Sequence, residues 1–151
     1  MNGGRILALS GGVGGTKLAV GLAGVLPSGT LTVVGNTGDD FEYLGLHVSP
    51  DVDTLLYTLA GLADPDTGWG RRSETWSFLS ELERLGEETW FRIGDKDLAV
   101  HVWRTHALRA RRLLSTITAE LCTKLRAAAE VLPMSDDPVR TVLDTDAGPL
   151  A

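Results

Sequence analysis

The sequence predicts an α/β fold: a Rossmann-like parallel sheet with flanking helices, truncated toward its C-terminal end. Three observations predict it. An apolar run stops at a glycine-rich turn and passes into a helix. A β-branched run follows at the spacing of a βαβ crossover. Polar loops then recur just after strand-like segments, where open α/β sheets place their ligands.

Arg5 to Ser10 reads as a buried strand, a short apolar run stopped by glycines. Ser10-Gly11-Gly12-Val13-Gly14-Gly15 is the turn. The helix after it carries Leu18, Leu22 and Leu26 on one stripe at four-residue spacing. Pro27, Ser28 and Gly29 close it, and Thr30 to Gly35 is the second strand. After the polar loop from Asn36 to Phe41, Ser49 is placed to cap a helix and Pro50 suits its first turn. Leu55, Leu56, Leu59 and Leu62 give that helix its apolar face. Ser73 is the expected cap of a helix through Trp76, Leu79 and Leu82 that ends at Gly86. Trp90 to Ile93 reads as a short strand. Gly94-Asp95 leads into a helix through Leu98 and Val102, and Ser115 is the expected cap of the helix carrying Ile117, Leu121 and Leu125. Glu130 to Pro133 is a further strand. Thr141 to Leu143 reads as a strand before the turn Asp146-Ala147-Gly148, with the returning strand missing at Ala151. That half-made hairpin is the ground for expecting truncation, with residues 1–151 the N-terminal part of one domain.

The bulk properties exclude several classes. With 151 residues, 43% hydrophobic and 23% charged, the chain is of globular composition and long enough to bury a core. A net charge of −6 disfavours a nucleic-acid binder. The single cysteine, Cys122, sits in an apolar helical pattern and reads as a core residue. The first strand is too short for a signal core or a membrane span, so a cytoplasmic protein is the expectation. His47, His101 and His106 form no ligand spacing and no triad, and read as structural or surface residues.

The motifs carry more. A glycine-rich turn between strand and helix brings backbone N–H groups to an anion, aided by the helix dipole. Gly11, Gly12, Gly14 and Gly15 form that turn, and Lys17, one turn into the helix, adds a point charge. Thr16 separates Gly15 from Lys17, so this is no Walker A loop, and the second strand ends at Asn36 rather than at a ribose-binding acid. Asp39 and Asp40 follow a strand; Asp51 and Asp53 lie in a first helical turn. Carboxylates on adjoining loops suit Mg²⁺, although helix-dipole complementarity alone also accounts for Asp51 and Asp53. Gly94-Asp95-Lys96-Asp97 on its own reads as an N-cap at Asp95 with solvated neighbours, Ser135-Asp136-Asp137 is a polar loop after a strand, and Trp69-Gly70-Arg71-Arg72 is either a solvent-exposed loop or a basic turn for phosphates or a flat ring.

In series these segments resemble the 2-phospho-L-lactate transferase family of coenzyme F-420 biosynthesis. The matching residues are Leu9 to Gly15, Asn36-Thr37-Gly38-Asp39-Asp40, Ser49-Pro50-Asp51-Val52-Asp53-Thr54, Gly68-Trp69-Gly70, Glu74-Thr75-Trp76, Gly94-Asp95-Lys96-Asp97 and Leu132-Pro133-Met134-Ser135-Asp136-Asp137. The resemblance implies transfer of a phospho-lactyl or phospho-enolpyruvyl group from a guanylylated diphosphate donor to the ribityl 5′-hydroxyl of the deazaflavin Fo, with release of GMP. It implies Mg²⁺ on Asp39 and Asp51, both catalytic, and deazaflavin contacts from Asp53 and Lys96. It places Gly11, Gly12, Gly14, Gly15, Lys17, Ser135, Asp136 and Asp137 on the nucleotide and phosphate side. Lys96 stands where many relatives carry arginine, so a bidentate fork is absent. The arginine-rich, lysine-poor usage and the Trp69-Gly70-Arg71-Arg72 segment look like actinobacterial relatives, for which the resemblance implies the enolpyruvate donor. Family members are considerably longer, so weak or no activity is expected of this chain alone. No membrane and no nucleic acid is expected as a partner, and a homodimer is left open. Three rivals stand beside this reading: a regulator of the same broad fold that binds a nucleotide sugar without chemistry, an NAD-dependent oxidoreductase, and a folded but inactive product.

Overall fold

The computed structural model describes residues 4–150. β1 (Ile6–Ser10) runs into the glycine turn, α1 (Gly12–Val25) follows, and β2 (Leu31–Gly35) lies parallel to β1. Next come a short antiparallel hairpin, β3 (Phe41–Tyr43) and β4 (Leu46–Val48), then α2 (Pro50–Leu59). α3 (Ser77–Arg84), α4 (Asp95–Arg109) and α5 (Leu114–Leu125) lead to β5 (Glu130–Pro133), which joins the sheet parallel to β2. The sheet order is β1-β2-β5, so β2 is central. A second hairpin, β6 (Leu143–Thr145) and β7 (Gly148–Leu150), closes the described chain.

The expected parallel α/β sheet is present, and one face of it makes the core. Ala8, Leu31, Val33 and Val131 share a face by register and pack with residues of α1, α2 and α5. α2 contributes the fully buried Val52, Leu55 and Leu56. Each leucine so buried is worth about 1.5–3 kcal/mol.

Several local expectations are corrected. β1 is no buried strand: Leu7 and Leu9 are 64% and 76% exposed, because they point to the face opposite the three helices. Leu18 is exposed for a related reason. The buried stripe of α1 runs through Thr16, Ala19, Leu22 and Leu26, rotated from the leucine spacing. Trp90 to Ile93 forms no strand; Phe91 and Trp90 instead pack edge-on into an aromatic cluster with Phe41 and Tyr43. The hairpin β3–β4 went unread, since its loop is Leu44-Gly45 with φ of 52° and 68° rather than an asparagine–glycine pair. The returning strand expected to be missing after Gly148 is present as β7. Cys122 is partly buried beside the core, as expected, and burial pushes its thiol up.

Of the expected caps only Ser49 is in place: Ser73 lies ahead of α3, which starts at Ser77, and Ser115 lies inside α5, which starts at Leu114. Ser49 does precede α2, but its hydroxyl donates to Asp40 at 2.7 Å. α3 is capped by Asp95, whose carboxylate accepts from the N–H groups of Ser77 and Phe78. In return Glu74 accepts from the N–H groups of Lys96 and Asp97 at the start of α4. A Cβ at Gly94 would strike the Glu74 carboxylate, so this reciprocal cap needs glycine there. Ser115 does not cap α5; Asp136 does, accepting from the Ser115 N–H at 2.7 Å and its hydroxyl at 2.9 Å.

Candidate active site

The first cluster forms where β1 and β2 end. Asn36 follows β2, and its side-chain NH₂ donates to Asp39 Oδ2 at 3.1 Å and to Asp51 Oδ2 at 3.0 Å. The two carboxylates predicted to share a ligand therefore meet across one amide group. The backbone N–H of Gly12 donates to Asp51 Oδ1 at 2.9 Å, drawing the glycine turn into the cluster. Gly11 lies close by: a Cβ there would sit 3.6 Å from Asp51 Oδ2. Gly14 opens to solvent, and Gly15 has a packing role because a Cβ would strike the Ser10 hydroxyl. Asp39 Oδ1 accepts from the Thr141 hydroxyl at 3.0 Å. Every donor on these carboxylates is neutral. Two carboxylates, each oxygen with one such bond, form a donor set that fits a hard cation whose remaining ligands come from substrate phosphates. Among the described residues no group of three or more His, Cys, Asp or Glu converges to hold a metal without such help.

Lys17 does not join this cluster. It is exposed on α1 and lines a separate cavity with Thr58, Asp64 and Gly68. Asp40 turns away as well. Its Oδ2 meets His47 Nε2 at 3.1 Å and the buried Ser49 hydroxyl. Ser49 and Asp40 contact the same ring nitrogen, so this is a pin for the hairpin rather than a nucleophile with its base.

The second cluster lies on the other side of the α2 N-terminus. Asp53 is buried, and both its oxygens accept from Arg104, which is 0% exposed. Arg104 NH1 also lies 3.4 Å from His101 Nδ1, and His101 Nε2 lies 3.3 Å from Asp97 Oδ1. The Tyr57 hydroxyl donates to the same Asp97 oxygen at 2.5 Å. Burial alone would push the Asp97 carboxyl up. The close approach and charge of His101, the Tyr57 hydroxyl and Arg104 outweigh it, so Asp97 titrates below the usual carboxylate value. Burial, then the charges of Asp53 and Asp97, hold the Tyr57 phenol well above its ordinary value. Burial would lower Arg104, but Asp53 keeps it charged.

Above this network is a cavity of about 430 Å³ with an apolar, aromatic wall of Trp69, Trp90 and Phe91 and a floor of Asp53, Tyr57, Asp97 and His101. Trp69 is presented by a tight turn in which Gly68 and Gly70 take φ of 74° and 69°, a conformation that favours glycine. Arg71 of the same turn lies over the Tyr57 ring and donates to the Lys96 carbonyl. Lys96 itself is outside the cavity wall, exposed, with Nζ donating to the Ser73 carbonyl at 2.5 Å. Sequence reasoning missed Tyr57, Asp97, His101 and Arg104 as site residues. The signal was present in α4, where Asp97, His101 and Arg104 stand at i, i+4 and i+7 on one face.

A third cavity, about 520 Å³, lies past the ends of β2 and β5. Thr37, His47, Arg109, Ser135, Asp137 and Arg140 are among its lining residues. Ser135 and Asp137 are thus at the predicted edge, with the Asp137 N–H on the Ser135 hydroxyl. Asp136 also lines this cavity, though its carboxylate is engaged in capping α5.

Fold and site together define a Rossmann-like α/β protein with a carboxylate cluster and two cavities along the carboxyl edge of its sheet. The sequence profile of the family described as 2-phospho-L-lactate transferase CofD matches residues 6–150, and the chain belongs to that family. It is 47% identical over 139 residues to a phosphoenolpyruvate transferase of Kitasatospora aureofaciens, covering 91% of this chain and 43% of that protein. It is 44% identical over 145 residues to that of Streptomyces griseus, covering 94% and 46%. To that of Mycobacterium tuberculosis it is 42% identical over 157 residues, covering 94% and 47%. The chain spans less than half the length of these curated relatives. Among the described residues no helix is long and apolar enough to cross a membrane.

Proposed function

We propose that this chain carries the acceptor and cation side of a transferase that moves a phospho-enolpyruvyl, or phospho-lactyl, group from a guanylylated diphosphate donor to the 5′-hydroxyl of the deazaflavin Fo, releasing GMP. The observation that carries the reading is the pairing of two unlike clusters about the start of α2. Asp39 and Asp51 converge on Asn36, and Asp53 faces an aromatic cavity two residues further on. The relatives named phosphoenolpyruvate transferase support the enolpyruvate donor.

In this reading Asp39 and Asp51 hold Mg²⁺, which supplies charge neutralisation for the donor phosphates. Asn36 fixes the two carboxylates relative to each other. The turn at Gly11 and Gly12 brings backbone N–H groups to the same place. The cavity of Trp69, Trp90 and Phe91 holds the flat acceptor and keeps water from its ring. Asp53, with Arg104 behind it, orients the acceptor so that its hydroxyl meets the phosphorus bearing the organic acid. Catalysis then rests on positioning and charge, as phosphoryl-type transfers generally do. The cavity at Ser135 and Asp137 is the guanylyl side.

Fluorescence titration with Fo and a GMP-release assay test this. Saturable Fo binding by this chain is the expected result, with GMP release that requires Mg²⁺ and Fo together in a full-length version. A folded chain that ignores Fo yet binds a uridine nucleotide would replace this reading with the regulator.

A further inference from the structure

The acceptor cavity holds one feature that neither Asp53 nor Lys96 explains. Asp97 lines it, and also the adjoining cavity beside Trp76 and Gly94, with a carboxylate only half engaged. Its Oδ1 takes the Tyr57 hydroxyl and faces His101, while Oδ2 takes no hydrogen bond among the described residues. The other floor groups are engaged or out of reach, His101 Nε2 being buried without a hydrogen-bond partner among the described residues. Asp53 is forked by Arg104, the Tyr57 hydroxyl is spent on Asp97, and the His101 ring is 1% exposed. The Asp97 backbone is fixed too, its N–H donating to Glu74 Oε1 at 3.0 Å. So the cavity offers a ligand an apolar aromatic wall, the exposed Arg92 guanidinium that lies over the Trp76 ring, and, at Asp97, a rigid, ionised oxygen that can only accept.

Resting on the acceptor reading above, we infer that Asp97 is a recognition residue of this cavity, its free Oδ2 accepting a hydrogen bond from an N–H or O–H group of the bound flat ring or its side chain. At its own position, away from Arg92, a carboxylate held in place by Tyr57 selects for a donor and rejects an acceptor edge, because an unpaired partner in a desolvated site is penalised. The donor comes either from an imide N–H of the ring or from a ribityl hydroxyl.

The test titrates wild type and Asp97→Asn with three ligands: Fo, Fo methylated at the imide nitrogen, and a ring carrying methyl in place of ribityl. Asparagine keeps the volume and can still accept from Tyr57, and thermal melting checks its fold. Asp97→Asn is expected to weaken Fo by about tenfold, the effect of one hydrogen bond to a charged acceptor. The ligand lacking the donor should already be weaker with wild type and should be indifferent to the substitution. If that ligand is the methylated imide, the ring N–H is the donor; if it is the ring without ribityl, the hydroxyl is. Equal weakening of all three, or of none, overturns the inference while leaving the acceptor reading intact. So does wild type binding all three equally, a result that does not depend on the variant folding. Wild type that fails to bind Fo overturns the acceptor reading itself.

Discussion

Asp51 and Asp53 are two residues apart in the first turn of one helix and live in opposite environments. Asp51 is half-buried and held only by neutral donors, the Gly12 N–H and the Asn36 amide. Asp53 is buried and forked by a fully buried arginine. The first keeps its net charge available to a cation; the second has its charge cancelled and becomes part of the wall. One helical turn thus separates a site for charge from a site for shape. The helix dipole, which serves both equally, does not make the distinction.

The comparison can be broken hardest at Arg104. Arg104→Met leaves the Asp53 carboxylate buried without a partner and should cost about 3–5 kcal/mol in chemical denaturation. The double variant with Asp53→Leu should recover most of that loss, since a buried ion pair replaced by apolar groups is often neutral. If the single variant were as stable as wild type, Asp53 would not be the buried partner described here. Asp51→Asn should do the reverse. Stability should stay within about 1 kcal/mol. In a full-length version, GMP release should fall on the order of a hundredfold, the scale of removing one charge-stabilising group.

Acid exposes the second carboxylate of the acceptor floor. Asp97 titrates lower in the folded protein than in the unfolded chain, so the unfolded state takes up its proton first. Its contribution is present above the unfolded value of about 3.9 and is lost as pH falls through the folded one. Asp97→Asn should flatten the slope of stability against pH in that range, and a slope identical to wild type would contradict the network. The smallest effect lies away from both sites. Leu44 sits in the left-handed region at φ 52°. Leu44→Asn should raise stability by about 0.5–1 kcal/mol, read as a shift in the denaturation midpoint.

How far the sequence disclosed this follows the range of each interaction. The βαβ unit, the Ser49-Pro50 helix start and the loop at Asn36 to Asp40 rest on local pattern and turn chemistry, and they were legible. So was the pairing of Asp39 with Asp51, though only through the family resemblance. Arg104 was not: an arginine among polar helix residues reads as surface, and only Asp53, far away in sequence, makes its burial tolerable. The crossed caps of Glu74 and Asp95, and Asp136 on α5, were hidden for the same reason. For α3 and α5 a nearby serine, Ser73 or Ser115, was the better local candidate, and a distant carboxylate won. Lys96 shows the converse, a residue chosen by motif position whose ammonium the fold ties to the Ser73 carbonyl outside the cavity wall.

The division of labour between the two aspartates is the centre of this account, and Fo binding to Asp51→Asn tests it most directly. With fluorescence titration in the absence and presence of Mg²⁺, the variant should bind Fo within about twofold of wild type, because in the proposed reading Asp51 belongs to the cation cluster and not to the acceptor wall. Loss of Fo binding by a folded Asp51→Asn protein, without Mg²⁺ present, would show that the two carboxylates serve one site and would contradict the account.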